Sequence, residues 1–291
     1  MSHIKYLFLV LSTILIFEMI NPNQAEAACS ITSDIVKKAT TGADDSINEG
    51  CDSKPDLYEI VIYKLYLCTS IPTEPTTSST VDLTPCSQVF NSDSGATASV
   101  TQGTDIVLDG TYIRPPNGTY THGYAYMDNT FGITWSGELS ASMTGMTGGT
   151  GVYCATKAGS GTHAKAASSH TNSSVCGSSP ITAGKFVETL AQFGSPTDAF
   201  LSKGTALNIN GTTADIFGYL VDSNEHRAAN TGEVEKLEGL VTFADPVVVT
   251  AETTSITMDF NVGEGMHLSE SGGSNLLYIG SGPFQAIMTA N

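Results

Sequence analysis

The chain has 291 residues and sets 12 Lys and Arg against 29 Asp and Glu, a net charge of −17. Such a surface repels phosphate backbones and anionic lipid, so nucleic-acid partners and electrostatic membrane docking are not expected. Charged residues are only 14% of the chain, below the usual quarter; Thr, Ser, Gly and Asn take their place and favour strands and turns over helix.

Residues 1–27 read as a secretory signal peptide. Lys5 precedes an apolar run over residues 6–17, and Ala25-Glu26-Ala27 is a small-x-small cleavage signal. The run is shorter than the roughly 20 residues of a spanning helix. Lipid attachment at Cys29 would want an aliphatic residue where Glu26 stands. Removing 27 of 291 residues leaves 264, and Lys5, Glu18 and Glu26 depart with them, so the mature balance is −16. The mature chain is expected to be exported (secreted, periplasmic or on the cell surface) with no membrane span.

Residues 28–56 form an acidic leader carrying Asp44, Asp45, Glu49, Asp52 and Asp56, with a short possible helix at 35–38. Oxygen-rich clusters can hold calcium, but neighbouring like charges ordinarily stay solvated. Residues 57–68 are the strongest strand. Strict alternation puts Tyr58, Ile60, Ile62 and Tyr66 on one face and Leu57, Val61, Tyr63, Leu65 and Leu67 on the other, as in a central strand covered on both sides.

A Pro/Thr/Ser-rich loop spans 69–85. Short strands are expected at 88–90, 96–101 and 105–108, with Asp93-Ser94-Gly95 as a turn between the first two. Residues 119–127 and 131–139 read as a β-hairpin turning at Asp128-Asn129. Another strand covers 152–156. Residues 158–180 are rich in small residues and read as a loop, and 185–193 as a short helix with Phe186, Leu190 and Phe193 on one side. Strands resume at 206–209, 215–221, 239–243, 247–250, 254–262, 276–279 and 284–288, and 254–262 alternates as a half-buried strand with one wet face.

This pattern predicts an all-β fold of antiparallel β-sandwich type, either two immunoglobulin-like or prealbumin-like sandwiches or one large sandwich. The first β domain would be 57–157, a loop or linker 158–182 and the second β domain 183–291. Six cysteines, Cys29, Cys51, Cys68, Cys86, Cys154 and Cys176, follow the cleavage site. In an oxidising compartment they pair, and of about 15 pairings the simplest is local: 29 with 51, 68 with 86, 154 with 176. Their spacing lacks the close pairs of a zinc site, and no metal or cofactor is expected.

Phosphate-loop, nucleophile-elbow, zinc-protease and calcium-loop motifs are absent. The glycine-rich run at 145–151 lacks the lysine and helix of a phosphate loop and reads as a hairpin connection. Two groups remain as candidate ligand contacts. Tyr120, His122, Tyr124 and Tyr126 share one strand face, with Tyr112 and Trp135 nearby. Such a face can stack on sugar rings, or it can be the packed side of a sheet, since the opposite side is small. Lys157, His163, Lys165 and His170 form a local cationic cluster, either a contact loop for an anionic or sugar partner or a solvated loop. Asn117, Asn172 and Asn210 stand in glycosylation acceptor triplets.

The functional expectation is a non-enzymatic exported protein acting through its surface, as an envelope or adhesion-type component with a protein or glycan partner, and possible self-association. The alternative is a secreted carbohydrate- or small-ligand-binding module. A secreted hydrolase comes third and requires two carboxylates, or a Ser/His/Asp set, converging in a cleft.

Overall fold

A computed structural model describes residues 28–38, 46–48, 50–101, 107–163, 174–193, 198–209, 212–270 and 274–291. The expected signal peptide 1–27, Asp44, Asp45, Glu49, Lys165, His170 and the triplets at Asn172 and Asn210 lie wholly or partly outside them, as does part of the strand expected at 105–108.

In chain order the strands are β1 (Ile31–Thr32), β2 (Ile35–Val36), β3 (Cys51–Ser53), β4 (Leu57–Cys68), β5 (Cys86–Val100), β6 (Thr111–Tyr112) and β7 (Gly118–Thr134). Then come β8 (Ser136–Gly145), β9 (Thr150–Thr156), β10 (Gly159–His163), β11 (Ser174–Gly177), β12 (Phe186–Leu190) and β13 (Leu201–Ile209). The last are β14 (Thr212–Val221), β15 (Lys236–Val249), β16 (Ile256–Asn261), β17 (Met266–Glu270), β18 (Leu276–Ser281) and β19 (Gln285–Ala290). Among the described residues there is no helix, and so none long and apolar enough to cross a membrane.

The larger sheet runs β13-β14-β15-β7-β4-β5-β6, with β12 and β10 added beside the far end of β7. The smaller runs β1-β2-β8-β18-β17-β3, with β9 and β11 added beside β8. β16 and β19 form a separate antiparallel pair. Both large sheets are curled, and the expected antiparallel order is broken by parallel pairs: β10 with β12, β18 with β8, and β2 with β8. Strands from 57–157 and from 183–291 share both sheets. β7 pairs with β15 and β12, and β8 pairs with β18.

Three expected breaks are bulges inside long strands. Residues 92–95 stand opposite Tyr63 alone, so Asp93-Ser94-Gly95 swells β5 instead of ending it, with Gly95 at φ +79°. Residues 128–130 stand opposite Val61 alone, so the expected hairpin turn lies within a single 17-residue strand. There β7 changes partner from β15 to β12, and the Asn129 side chain donates to the Leu190 carbonyl at 3.0 Å. Residues 243–246 stand opposite Thr121 alone, where Pro246 has no N–H to contribute. Local turn propensity was real in each case, but the ladder on both sides of it outweighed the break.

β4 lies between β5 and β7, as its apolar content predicts. Its faces are not those of strict alternation. The register slips between Ile62 and Lys64, so Tyr58, Ile60 and Ile62 and then Leu65 and Leu67 are all buried in one core. That core joins residues of both sheets, including Met127 and Phe131 with Leu139, Leu268, Leu277 and Ile279. On the other face of the larger sheet a smaller cluster gathers Tyr124, Tyr219, Val221 and Leu240 under Val81 of the 69–85 loop.

Three segments differ from the sequence expectation. Residues 185–193 hold strand β12, because its pairing with β7 and β10 buries Phe186, Glu188 and Leu190 at period two. The small-residue stretch 158–180 contains β10 and β11. The leader supplies β1, β2 and β3, with Ile47, Cys51 and Asp52 buried rather than solvated.

The disulfides are Cys29–Cys51, Cys68–Cys86 and Cys154–Cys176. The last two join residues directly opposite each other on adjacent antiparallel strands. Three such bonds fit an oxidising environment. Replacing Cys154 and Cys176 together by serine should lower unfolding free energy by about 3 kcal/mol, read by urea denaturation without reductant.

Glu238 on β15 is wholly buried, and the Tyr124 hydroxyl beside it offsets only part of the cost of burying its carboxyl. Burial pushes its pKa up to about 8. The folded state therefore holds a proton that the unfolded chain releases near its ordinary value. This stabilisation is full below that value and is lost as pH rises through about 8. Melting temperature should fall between about pH 5 and pH 9, and Glu238→Gln should flatten that fall and raise the melting temperature at the alkaline end.

Candidate functional site

A row of small side chains crosses the larger sheet and ends against a leucine. Ser202, Gly218, Gly239, Ala125 and Leu65 are successive cross-strand partners on β13, β14, β15, β7 and β4. Neighbouring positions on the same face carry Ile216, Leu237, Val241 and Met127, so the row is a trough with apolar walls. A Cβ at Gly239 would meet only the methyl tip of Met127, at 2.9 Å.

Over this floor lies a cavity of about 500 Å³. Phe260 of β16, Ala286 and Met288 of β19, and Phe284 between them close the far wall, with Phe284 edge-on to Phe131 at 6.2 Å. A sealed, empty void of that size would cost roughly 12 kcal/mol, as much as the whole stability of many domains. The fold tolerates the space because the cavity is partly open and has a polar end. Its volume lies in the ordinary range for small-molecule sites.

The polar end is built where the two sheets meet. Glu188 on β12 is buried, and its carboxylate accepts three hydrogen bonds from β18: the Tyr278 hydroxyl at 2.5 Å, the Ser281 N–H at 2.6 Å and the Ser281 hydroxyl at 2.5 Å. A side chain at Gly280 would collide with the Tyr278 hydroxyl and with Glu188, so glycine there admits the carboxylate. The Tyr278 hydroxyl has one proton, given to Glu188, and therefore accepts from His163 Nδ1 at 2.9 Å. Burial raises the Tyr278 pKa, with the Glu188 charge adding to it. Burial also holds His163 below its usual value, against the pull of Glu188.

Beside this group, Asp52 on β3 faces His267 on β17 as a direct cross-strand partner, with Oδ1 3.0 Å from His267 Nδ1. Asp52 is only 2% exposed, and its Oδ2 has no hydrogen-bond partner. Burial raises its pKa, opposed by His267. Asp52, His163, His267, Tyr278 and Ser281 all line the cavity. Among the described residues, no three His, Cys, Asp or Glu side chains are placed to hold a metal ion.

Of the candidate residues named from sequence, His163 lines the cavity, through its place at the end of β10. Tyr124 also borders it, but its ring packs edge-on to Tyr66 at 5.6 Å on the opposite face of the sheet. Tyr120 is buried and donates to the Pro116 carbonyl. Tyr126 is half-buried, with Lys64 Nζ 4.8 Å above its ring. Trp135 is buried where the chain leaves β7 for β8, held by Thr156. Tyr112 is exposed, and its hydroxyl bonds to the backbone of Leu108. These rings do not share an exposed platform.

Sequence reading passed over Glu188, His267, Tyr278 and Ser281, and named Asp52 only among the acids of a solvated leader. One signal was available. At period two Glu188 falls between Phe186 and Leu190 on the buried face, a position where an acid needs a partner. No protein-family model, curated protein or solved structure matches the chain.

Glu188→Gln should destabilise the protein by about 2–3 kcal/mol in urea unfolding. An amide offers one acceptor oxygen where Tyr278 and Ser281 present three donors, and it cannot supply charge-assisted bonds.

Proposed function

We propose that this is an exported, non-enzymatic binding protein that carries a small, mainly apolar ligand between two sheets packed as a β-sandwich. The cavity over the Ser202-Gly218-Gly239-Ala125 row carries this reading: small residues in register on adjacent strands keep open a volume that a packed core would fill. The polar end then orients the ligand, as a few polar groups do in otherwise apolar sites. This takes the small-ligand alternative over the surface-acting, adhesion-type one, and it moves the contact from the tyrosine face to the opposite face of the same strand. Glu188 is saturated by three donors, which suits a structural role better than acid–base catalysis.

The neutral fluorophore N-phenyl-1-naphthylamine should bind the purified mature protein with enhanced emission. Gly239→Leu, which points a side chain into the cavity past the flexible tip of Met127, should weaken that binding by about tenfold or more. A wild-type protein that takes up no fluorophore, or a variant that binds it unchanged, would count against the cavity as the site.

A further inference from the structure

The small-ligand reading leaves open which polar group the ligand carries, and the orphaned oxygen of Asp52 bears on that. Four observations converge at the polar end. Asp52 lines the cavity while almost wholly buried. One of its carboxylate oxygens faces His267, and the other has no partner. A second carboxylate, Glu188, stands behind Tyr278 and Ser281 in the same wall. Among the described residues that line the cavity there is no lysine or arginine.

An unpaired buried carboxylate oxygen costs free energy until a donor reaches it, and the cost is greatest when the charge itself has no counter-ion. His163, the other histidine of the wall beside His267, is held towards its neutral form by burial, so it offers little positive charge. Glu264, close enough to raise the Asp52 pKa, adds negative charge. His267 stands at Oδ1 as a cationic partner of Asp52. A ligand carboxylate would meet repulsion from Asp52, Glu188 and Glu264, a hydroxyl would supply one donor, and an ammonium would supply several donors and a positive charge on the side of Oδ2.

We propose that the ligand is an apolar amine, bound with its ammonium group on Asp52 and its hydrocarbon body along the small-residue trough. The proposal rests on the cavity being the binding site. The buried pair would form between groups that both give up water, so its worth comes from geometry and from the second hydrogen-bonding partners around it. Glu188, already saturated by Tyr278 and Ser281, serves as background charge, not as the direct contact.

The test is displacement of bound N-phenyl-1-naphthylamine by three twelve-carbon probes below their micellar concentrations: dodecylamine, 1-dodecanol and dodecanoate. At neutral pH, dodecylamine should displace the fluorophore at about tenfold lower concentration than dodecanol, with dodecanoate weakest. Asp52→Asn, which keeps the shape and the oxygen facing His267, should bring amine and alcohol level when each is referred to that variant's own fluorophore affinity. Equal displacement by amine and alcohol in the wild type would overturn the cation assignment, as would dodecanoate displacing as well as the amine. An amine preference that survives in Asp52→Asn would overturn the assignment to Asp52. The wild-type comparison decides the ligand class even if the variant does not fold. Failure of the fluorophore itself to bind would instead remove the cavity reading, and this proposal with it.

Discussion

Glu188 is a carboxylate of the larger sheet whose hydrogen-bond donors come from the smaller one. A buried acid of this kind is tolerated only where its oxygens are fully met, and here Tyr278 and both donors of Ser281 meet them. The bonds hold β12 and β18 in one relation, and with them the wall that His163, Tyr278 and Ser281 build at the end of the cavity. Apolar burial drives the sheets together without direction. These directional contacts select which residues of β18 face the interior.

The bulges do the complementary work along the strands. Extra residues in β5, β7 and β15 lengthen one edge of a ladder relative to its partner, and long strands respond by bending and twisting. In β4 the slip beyond Ile62 also turns Leu65 and Leu67 to the side that Ile60 and Ile62 already face. The core therefore continues past the slip, and the trough of Gly218, Gly239 and Ala125 ends next to Leu65. Small side chains there leave space instead of letting the opposite wall settle onto the floor. The smaller cluster around Tyr124 and Tyr219 seals the outer face.

Much of the strand content was legible because period-two patterns with β-branched and aromatic residues survive any context, as in 57–68 and 254–262. The disulfide partners were legible too. Cys154 and Cys176 close the ends of segments that meet, and a short span leaves few other ways to pair. Where the reading failed, competing ladders were the cause. Asp128-Asn129 has every local feature of a turn, yet β4 on one side and β15 and β12 on the other keep the chain extended through it. Phe186, Leu190 and Phe193 suit a helical face equally well, and only the presence of β7 and β10 as neighbours decides for a strand.

The candidate site divides in the same way. His163 stood out as a histidine in a small-residue stretch. Asp52 and His267 are 215 positions apart, and Glu188 and Tyr278 are 90 apart, so nothing local relates either pair. The sequence by itself determined an acidic, sheet-built chain with its thiols close enough to pair, because composition and short-range spacing act within a strand or a loop. The tertiary structure alone decided that glycines from separate strands fall into one row, and that two distant acids meet two histidines at its end. Register between strands depends on every residue that joins them, and no window of sequence contains it.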